Sequence, residues 1–559
     1  MGIKSFALVL ILCTGELLSD TTHEKAIADL CLESSPTGKA WQHIHVQDHH
    51  GIAFPLLGIH SQNSSGNGEF LDLCPMIDWL QSMNMDILQL LPLNDTGEEL
   101  SFYAPLSFYA LNPIYLSLES LPYLNEAPSD LREDLKQFKV YNKTKRVDYT
   151  QVLHKKQEWL REYVRFFEKK LLDRPYYPYF LTDSLCWLAD YALYKVLQTK
   201  YGADWEKWPQ EVQQTSPQSL KKLKQRYAQE ILFYQIVQSL CFEQMEKVHH
   251  YANQHQVYLV GDLTFLIAKN SCEVWRRPDF FKLNISVGSP PDKFFPKGQD
   301  WDLPAYNWDV IDQAQDSFIT QRVQTFSRIY DIYRLDNAIG YFSQYEIPKG
   351  SLPKEGHNVP NSSSQVIPFG KKHLLTLIHA ANILPIAESI RMDKSMMQVL
   401  RDLGIPGLIT VVGLNGKLDV NHQAISGQDF PLLAVSMISN QDTEPLSLWW
   451  ELHPEKAQAI ASKMGWKYQK SLSAFQKQQL VQMNQNSNSI FHIEMLQDIL
   501  PPELTWPPQE ERINTPGTTS PDNWTYRYKL SVEEMTSNSK IQSMILPSLD
   551  RERVGDTSE

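Results

Sequence analysis

An arginine and an aspartate stand two residues apart in the otherwise apolar run "DIYRLDNAIGYF", Asp331 to Phe342. Residues i and i+2 of a strand share a face, so Arg334 and Asp336 would lie together, with Tyr333 and Leu335 on the opposite side. Two more acids close comparable runs: Glu388 ends "ILPIAE", and Asp442 lies just past "LLAVSMIS". Two carboxylates facing a glycosidic bond are what retaining glycoside chemistry requires, one attacking the anomeric carbon and the other serving as acid and then base. On that reading Asp336 is the nucleophile, kept ionised by the positive charge of Arg334. Glu388 is the acid/base, its pKa raised by an apolar strand and by the like charge of Asp336. Asp442 would hold sugar hydroxyls and stabilise the oxocarbenium-like state. Any one of these acids fits a cap, a turn or a salt bridge as well; their joint placement is what points to a site.

Such acids need elements that bring them together. Eight apolar, β-branched runs recur along the chain, at Ile52–His60, Met85–Leu93, Val257–Ile267, Tyr330–Asp336, Ile383–Glu388, Gly407–Gly413, Leu432–Ser439 and Ser489–Leu496. Helical patterns separate them, as expected of parallel β/α repeats. Between the second and third runs, about Gly97 to Gln256, stretches such as "WLREYVRFFEKKLL" predict amphipathic helices in a segment too long for a loop. The economical fold is α/β: a (β/α)8 TIM barrel with a large helical insertion after its second strand. An open doubly wound sheet also accommodates the strand count. In a barrel, all three acids would sit at the carboxyl ends of strands, where barrel chemistry occurs. The expected divisions are an N-terminal extension (1–45), a catalytic barrel (46–96 and 257–530), a mainly helical insertion (97–256) and a peripheral or mobile tail (531–559).

The 559-residue chain has 42% hydrophobic and 21% charged residues, a soluble globular composition. Its formal charge of -13 argues against nucleic acid as a partner. The densest basic run, "LKKLKQRY" from Leu220 to Tyr227, reads as a solvated helix face. Six widely spaced cysteines, Cys13, Cys31, Cys74, Cys186, Cys241 and Cys272, suit reduced thiols in a cytoplasmic protein. The apolar run after Lys4 is too short to span a bilayer, and no membrane role is expected; it leaves a signal peptide open. "SSGNGEF" (Ser64 to Phe70) lacks both the P-loop lysine and dinucleotide spacing, and no organic cofactor or catalytic metal is expected.

From about Pro55 to Tyr528 the chain resembles the amylomaltases, also called 4-alpha-glucanotransferases or disproportionating enzymes, of the alpha-amylase clan. The resemblance runs through "QLLPLND" with "SFYAPLSFYALNP", "GDLTFLIA" with "SCEVW", "PPDKFFPKGQDWDLPAYNW", "YRLDNAIGYF", "LPIAESI", "NQDTEPLSLWW", and "NTPGT" with "NW" and Arg527. It implies a TIM barrel that moves α-1,4-glucan segments by double displacement, with the roles given above for Asp336, Glu388 and Asp442 and with Arg334 as the family's arginine. It further implies sugar-binding roles for Tyr103, Gln299, Trp301, Asn337 and Gln441. The implied partners are maltodextrins, maltose or glucose, with glycogen as a further donor. The chain departs from the family pattern at Asn337 and Gln441, where histidine is common, at Ile339, where arginine is common, and at Asn270, where aspartate is usual. An amide can bond a sugar hydroxyl but cannot become a cation, so these positions bear on rate and substrate preference and leave an impaired glucan-binding relative as one alternative. The residues alone do not separate transfer from hydrolysis, which leaves an α-glucan hydrolase as the other. An aromatic acceptor platform around Trp301 would favour transfer over hydrolysis.

Overall fold

The computed structural model describes residue 27 and residues 30–184, 187–292, 295–314, 318–412 and 430–545. The start of the chain that could carry a signal peptide, Cys13, Cys186 and the final residues of the tail lie outside them. Among the described residues there are twelve strands: β1 (His49–Phe54), β2 (Ile87–Leu90), β3 (Tyr258–Leu263), β4 (Phe281–Ser289), β5 (Gln299–Tyr306), β6 (Ile332–Leu335), β7 (Gln344–Pro348), β8 (His357–Val359), β9 (Leu384–Ala387), β10 (Gly407–Thr410), β11 (Ala434–Met437) and β12 (Phe491–Met495).

Eight of them close into a barrel in the order β1-β12-β11-β10-β9-β6-β3-β2, every neighbouring pair parallel. Seven of the barrel strands fall inside the apolar runs, as a sheet buried on both faces demands; β1 begins three residues before its run, at His49, and overlaps it over residues 52–54. The open-sheet alternative is thereby excluded. Gly261 of β3 is dictated by packing: a Cβ there would lie 2.5 Å from the Tyr330 ring.

The segment between β2 and β3 is helical, with long helices at Tyr149–Leu172, Leu188–Tyr201 and Ala228–Gln254. The last of these returns the chain to β3 and pins the segment after β2. Gln238 bonds both backbone groups of Leu111 and Gln244 both of Ser117, at 2.8–3.0 Å. Buried amides that satisfy buried backbone in this way fix a loop in one register.

Two features differ from the expectations. A second, antiparallel sheet in the order β5-β4-β7-β8 stands beside the barrel; its strands are half-exposed and mixed in polarity, so they lack the apolar continuity that marked the barrel strands. The tail is not peripheral at its start. Val532, Met535 and Ile541 are fully buried, and Val532 N–H donates to His60 O at 2.8 Å.

The N-terminal segment crosses the end of the barrel opposite the carboxyl termini of the strands. Trp41, in the helix Gly38–Ile44, is wholly buried and donates Nε1 to Gly404 O at 2.9 Å, three residues before β10. There His43 Nε2 and His249 Nε2 both reach Asp331 Oδ1 at 3.0 Å, immediately before β6. Cys31, Cys74, Cys241 and Cys272 are free thiols. Among the described residues no helix is long and apolar enough to cross a membrane.

Candidate active site

Parallel register pairs Asp262 of β3 with Arg334 of β6, so both side chains project from the same face at the same level. The Arg334 guanidinium is buried and serves three carboxylates. Nη1 bonds both oxygens of Asp262 (2.8 and 2.7 Å) and, at 3.3 Å, Asp336 Oδ1; Nη2 bonds Glu388 Oε2 at 2.6 Å. The expected pairing of Arg334 with Asp336 is present but is the longest of the three. The main partner is Asp262, which the sequence reading passed over inside "GDLTFLIA".

Asp336 and Glu388 are each the first residue beyond their strand, and the ladders continue through them. Asp336 N–H donates to Leu263 O at 3.2 Å, and Glu388 N–H to Leu335 O at 3.1 Å. Asp336 Oδ2 accepts the Phe265 N–H at 3.2 Å. Asn337 turns the chain with φ of 45°, a left-handed conformation that asparagine tolerates, and this aims its N–H at Glu388 Oε2, 3.0 Å away. Its contribution to the cluster is therefore through the backbone. Among the described residues nothing bonds Glu388 Oε1, leaving that oxygen open for proton transfer.

Asp442 lies on the loop after β11. Asn440 Oδ1 accepts the N–H groups of Asp442 and Thr443 at 3.0 and 3.1 Å, an Asx turn that sets the loop. Asn514 Nδ2 donates to Asp442 Oδ1 at 2.6 Å, giving "NTPGT" a physical task that no spacing argument revealed.

Tyr103, from the segment after β2, donates its hydroxyl to Asp262 Oδ2 at 2.7 Å and accepts Gln441 Nε2 at 2.8 Å. A phenol has one proton; since it goes to the carboxylate, Gln441 must present its NH2. The Tyr103 ring is flanked by Trp524, with centroids 5.5 Å apart. Gln441, Tyr103, Asp262, Arg334, Asp336 and Glu388 thus form one connected network. Gln299 and Trp301 stand apart from it on β5, where Trp301 Nε1 donates to Gln299 Oε1 at 3.0 Å.

The electrostatics overturn one expectation. Burial pushes the Asp336 carboxyl well above the usual carboxylate range; Arg334 opposes this with the predicted sign, but Glu388 and Asp262 add to the rise. Burial also raises Asp442 to about 6, against the Asn514 hydrogen bond and with the charge of Glu388 contributing. Arg334 is shared among several carboxyls, so its charge does not offset the burial of Asp336 as a lone Arg334–Asp336 pair would.

The family model for 4-alpha-glucanotransferase matches residues 54–532. The 4-alpha-glucanotransferase of Chlamydia pneumoniae is 35% identical over 519 residues, spanning 91% of this chain and 97% of the relative. That of Chlamydia muridarum is 33% identical over 525 residues, 92% and 97% of the two chains. In fold, the chain is similar to the amylomaltase of Streptococcus agalactiae in complex with acarbose, with a TM-score of 0.74 at 21% identity over 90% of this chain and 98% of that one. It is also similar to the amylomaltase of Corynebacterium glutamicum, with a TM-score of 0.72 at 18% identity over 91% and 76%. With the match running through β3, β6, β9 and β11 and both loops that complete the carboxylate cluster, the chain belongs to the 4-alpha-glucanotransferase family, enzymes that transfer α-1,4-glucan segments.

Proposed function

We propose that Asp336 is the nucleophile, Glu388 the acid/base and Asp442 the transition-state stabiliser of a retaining transfer between maltodextrin donors and glucose or maltodextrin acceptors, with glycogen as a further donor. The observation that carries this reading is the single guanidinium of Arg334 bonded to both Asp336 and Glu388 at the ends of neighbouring strands. That arrangement suits the close carboxyl spacing, about 5–5.5 Å, of a retaining pair.

In the first half-reaction an Asp336 oxygen bonds the anomeric carbon as the C1–O4 bond breaks, and Glu388 delivers its proton to the departing O4. In the second, Glu388 takes the proton from an acceptor 4-hydroxyl, whose oxygen bonds C1 and releases the Asp336 carboxylate. Positive charge developing on the ring favours the ionised forms of Asp336 and Asp442 at that moment, when their burial adds most to the interaction. Tyr103 and Trp524 offer aromatic surface beside the cluster, and Trp301 on β5 supports an acceptor platform.

Incubation with maltotriose tests the reaction: glucose together with longer maltodextrins is expected, and Asp336→Asn should abolish both. Glucose and maltose without longer products would overturn transfer. The residue assignment has its own test. Glu388→Gln, given an α-glycosyl fluoride whose leaving group needs no acid, should accumulate a glycosyl adduct on the peptide containing Asp336 by mass spectrometry. An adduct elsewhere would sink the assignment.

A further inference from the structure

The basic run Leu220 to Tyr227 is more than a solvated helix face. In the helix Pro217–Arg226, Pro217, Leu220, Lys221, Lys224 and Gln225 recur at i, i+3 and i+4 and form one side of a cleft of about 580 Å³. Ala228 also lines it, and Asp190 and Arg276 form the facing wall. The volume falls in the range of small-molecule sites, about 300–1,000 Å³. It lies where the helical insertion meets the short helix Cys272–Arg276 after β3, on elements that carry none of the catalytic residues.

Charge in the cleft is uncompensated. Lys221, Lys224 and Arg276 face one carboxylate, Asp190, which accepts Arg276 Nε at 2.6 Å and pairs with Lys224 at 2.5 Å. Arg276 Nη1 is held by Thr215 O at 3.2 Å. The guanidinium is therefore fixed in place, with Nη2 unbonded among the described residues, and Lys221 has no ion-pair partner among them. Two positive charges remain over, in a chain whose formal charge is -13.

We propose that this cleft binds a phosphate dianion, free or carried on a sugar. A dianion matches the two surplus charges, and an oriented guanidinium with a neighbouring ammonium is the usual donor set for phosphate. No aromatic side chain lines the cleft, so a nucleobase would find nothing to stack on. Gln225 and Asp190 provide partners for hydroxyls, and Pro217, Leu220 and Ala228 an apolar floor for a ring. None of this depends on the catalytic assignments.

The test is calorimetric titration of the full-length protein, at constant ionic strength, with inorganic phosphate, glucose 1-phosphate and glucose. Saturable binding in the millimolar range or tighter is expected for a phosphate-bearing ligand and not for glucose. Lys221→Ala should weaken it about tenfold or more, and Lys221→Glu should abolish it. Lys222→Ala, which removes the same charge from a residue outside the cleft, should change it by no more than about twofold. A greater affinity for glucose 1-phosphate than for phosphate assigns the sugar-borne source; equal affinity assigns the free ion. No saturable binding of either, survival of binding in Lys221→Glu, or equal effects of Lys221→Ala and Lys222→Ala would overturn the proposal. Transfer from maltotriose should be unchanged in Lys221→Glu.

Discussion

Gln441 and Tyr103 act as a unit at the residue scale. The amide donates to the phenol oxygen, the phenol donates to Asp262, and Asp262 engages Arg334. Each link orients the next, so removing the first should matter only while the second is present. Gln441→Leu and Tyr103→Phe are each expected to lower kcat/KM about 5- to 30-fold, from about 1–2 kcal/mol of lost hydrogen bonding. The double variant should be scarcely worse than the worse single one; additive losses would mean that Gln441 contacts sugar independently. Asp442 gives a second prediction. Its carboxyl is raised to about 6, so the fold favours the neutral form. The associated stability is present below the ordinary carboxylate range and is lost as pH rises through about 6. Asp442→Asn should therefore raise stability by on the order of 1–3 kcal/mol at about pH 7.5 and leave it little changed at about pH 4, while ending transfer. Thermal melts of the ligand-free protein at the two pH values check it.

At the scale of elements, the N-terminal helix and β6 meet at Asp331. Burial alone would raise this carboxyl, but hydrogen bonds from His249 and His43 overrule it and hold it at about 2. The hydrogen bond to Asp331 raises His43, and Asp331 likewise lifts His249 against burial. A raised histidine contributes stability that is complete below its ordinary value of 6.5 and is lost as pH climbs through the folded value. Asp331→Asn should therefore cost more melting temperature at about pH 5.5 than at about pH 8, by about 1–3 kcal/mol at the lower pH. His249→Gln should cost more than His43→Gln, since half of the His43 side chain is exposed and its pairing is screened. An equal loss at both pH values would show that the histidines pair without charge.

The whole molecule is closed by its own C-terminal segment. Ending the chain at Leu530 would strip Val532, Met535 and Ile541 from the core, each worth up to about 1.5–3 kcal/mol. Such a truncation should melt several degrees lower while retaining the barrel's circular dichroism; an unchanged melting point would show that the segment only rests on the surface. The barrel itself was legible in the sequence because a sheet buried on both faces must be written as continuous apolar runs, and Asp336, Glu388 and Asp442 stood out because each follows such a run. The antiparallel sheet was not legible, since half-exposed strands such as "FKLNISVGS" mix polar and apolar residues. Nor was the charge balance of the site. Arg334 meets Asp262 only through the register of β3 on β6, and Tyr103 meets Gln441 across 338 residues of chain. Local composition determines which face of a strand is apolar and which residue ends it. The sharing of one guanidinium among several carboxyls depends on through-space distance and burial, and only the closed barrel sets those.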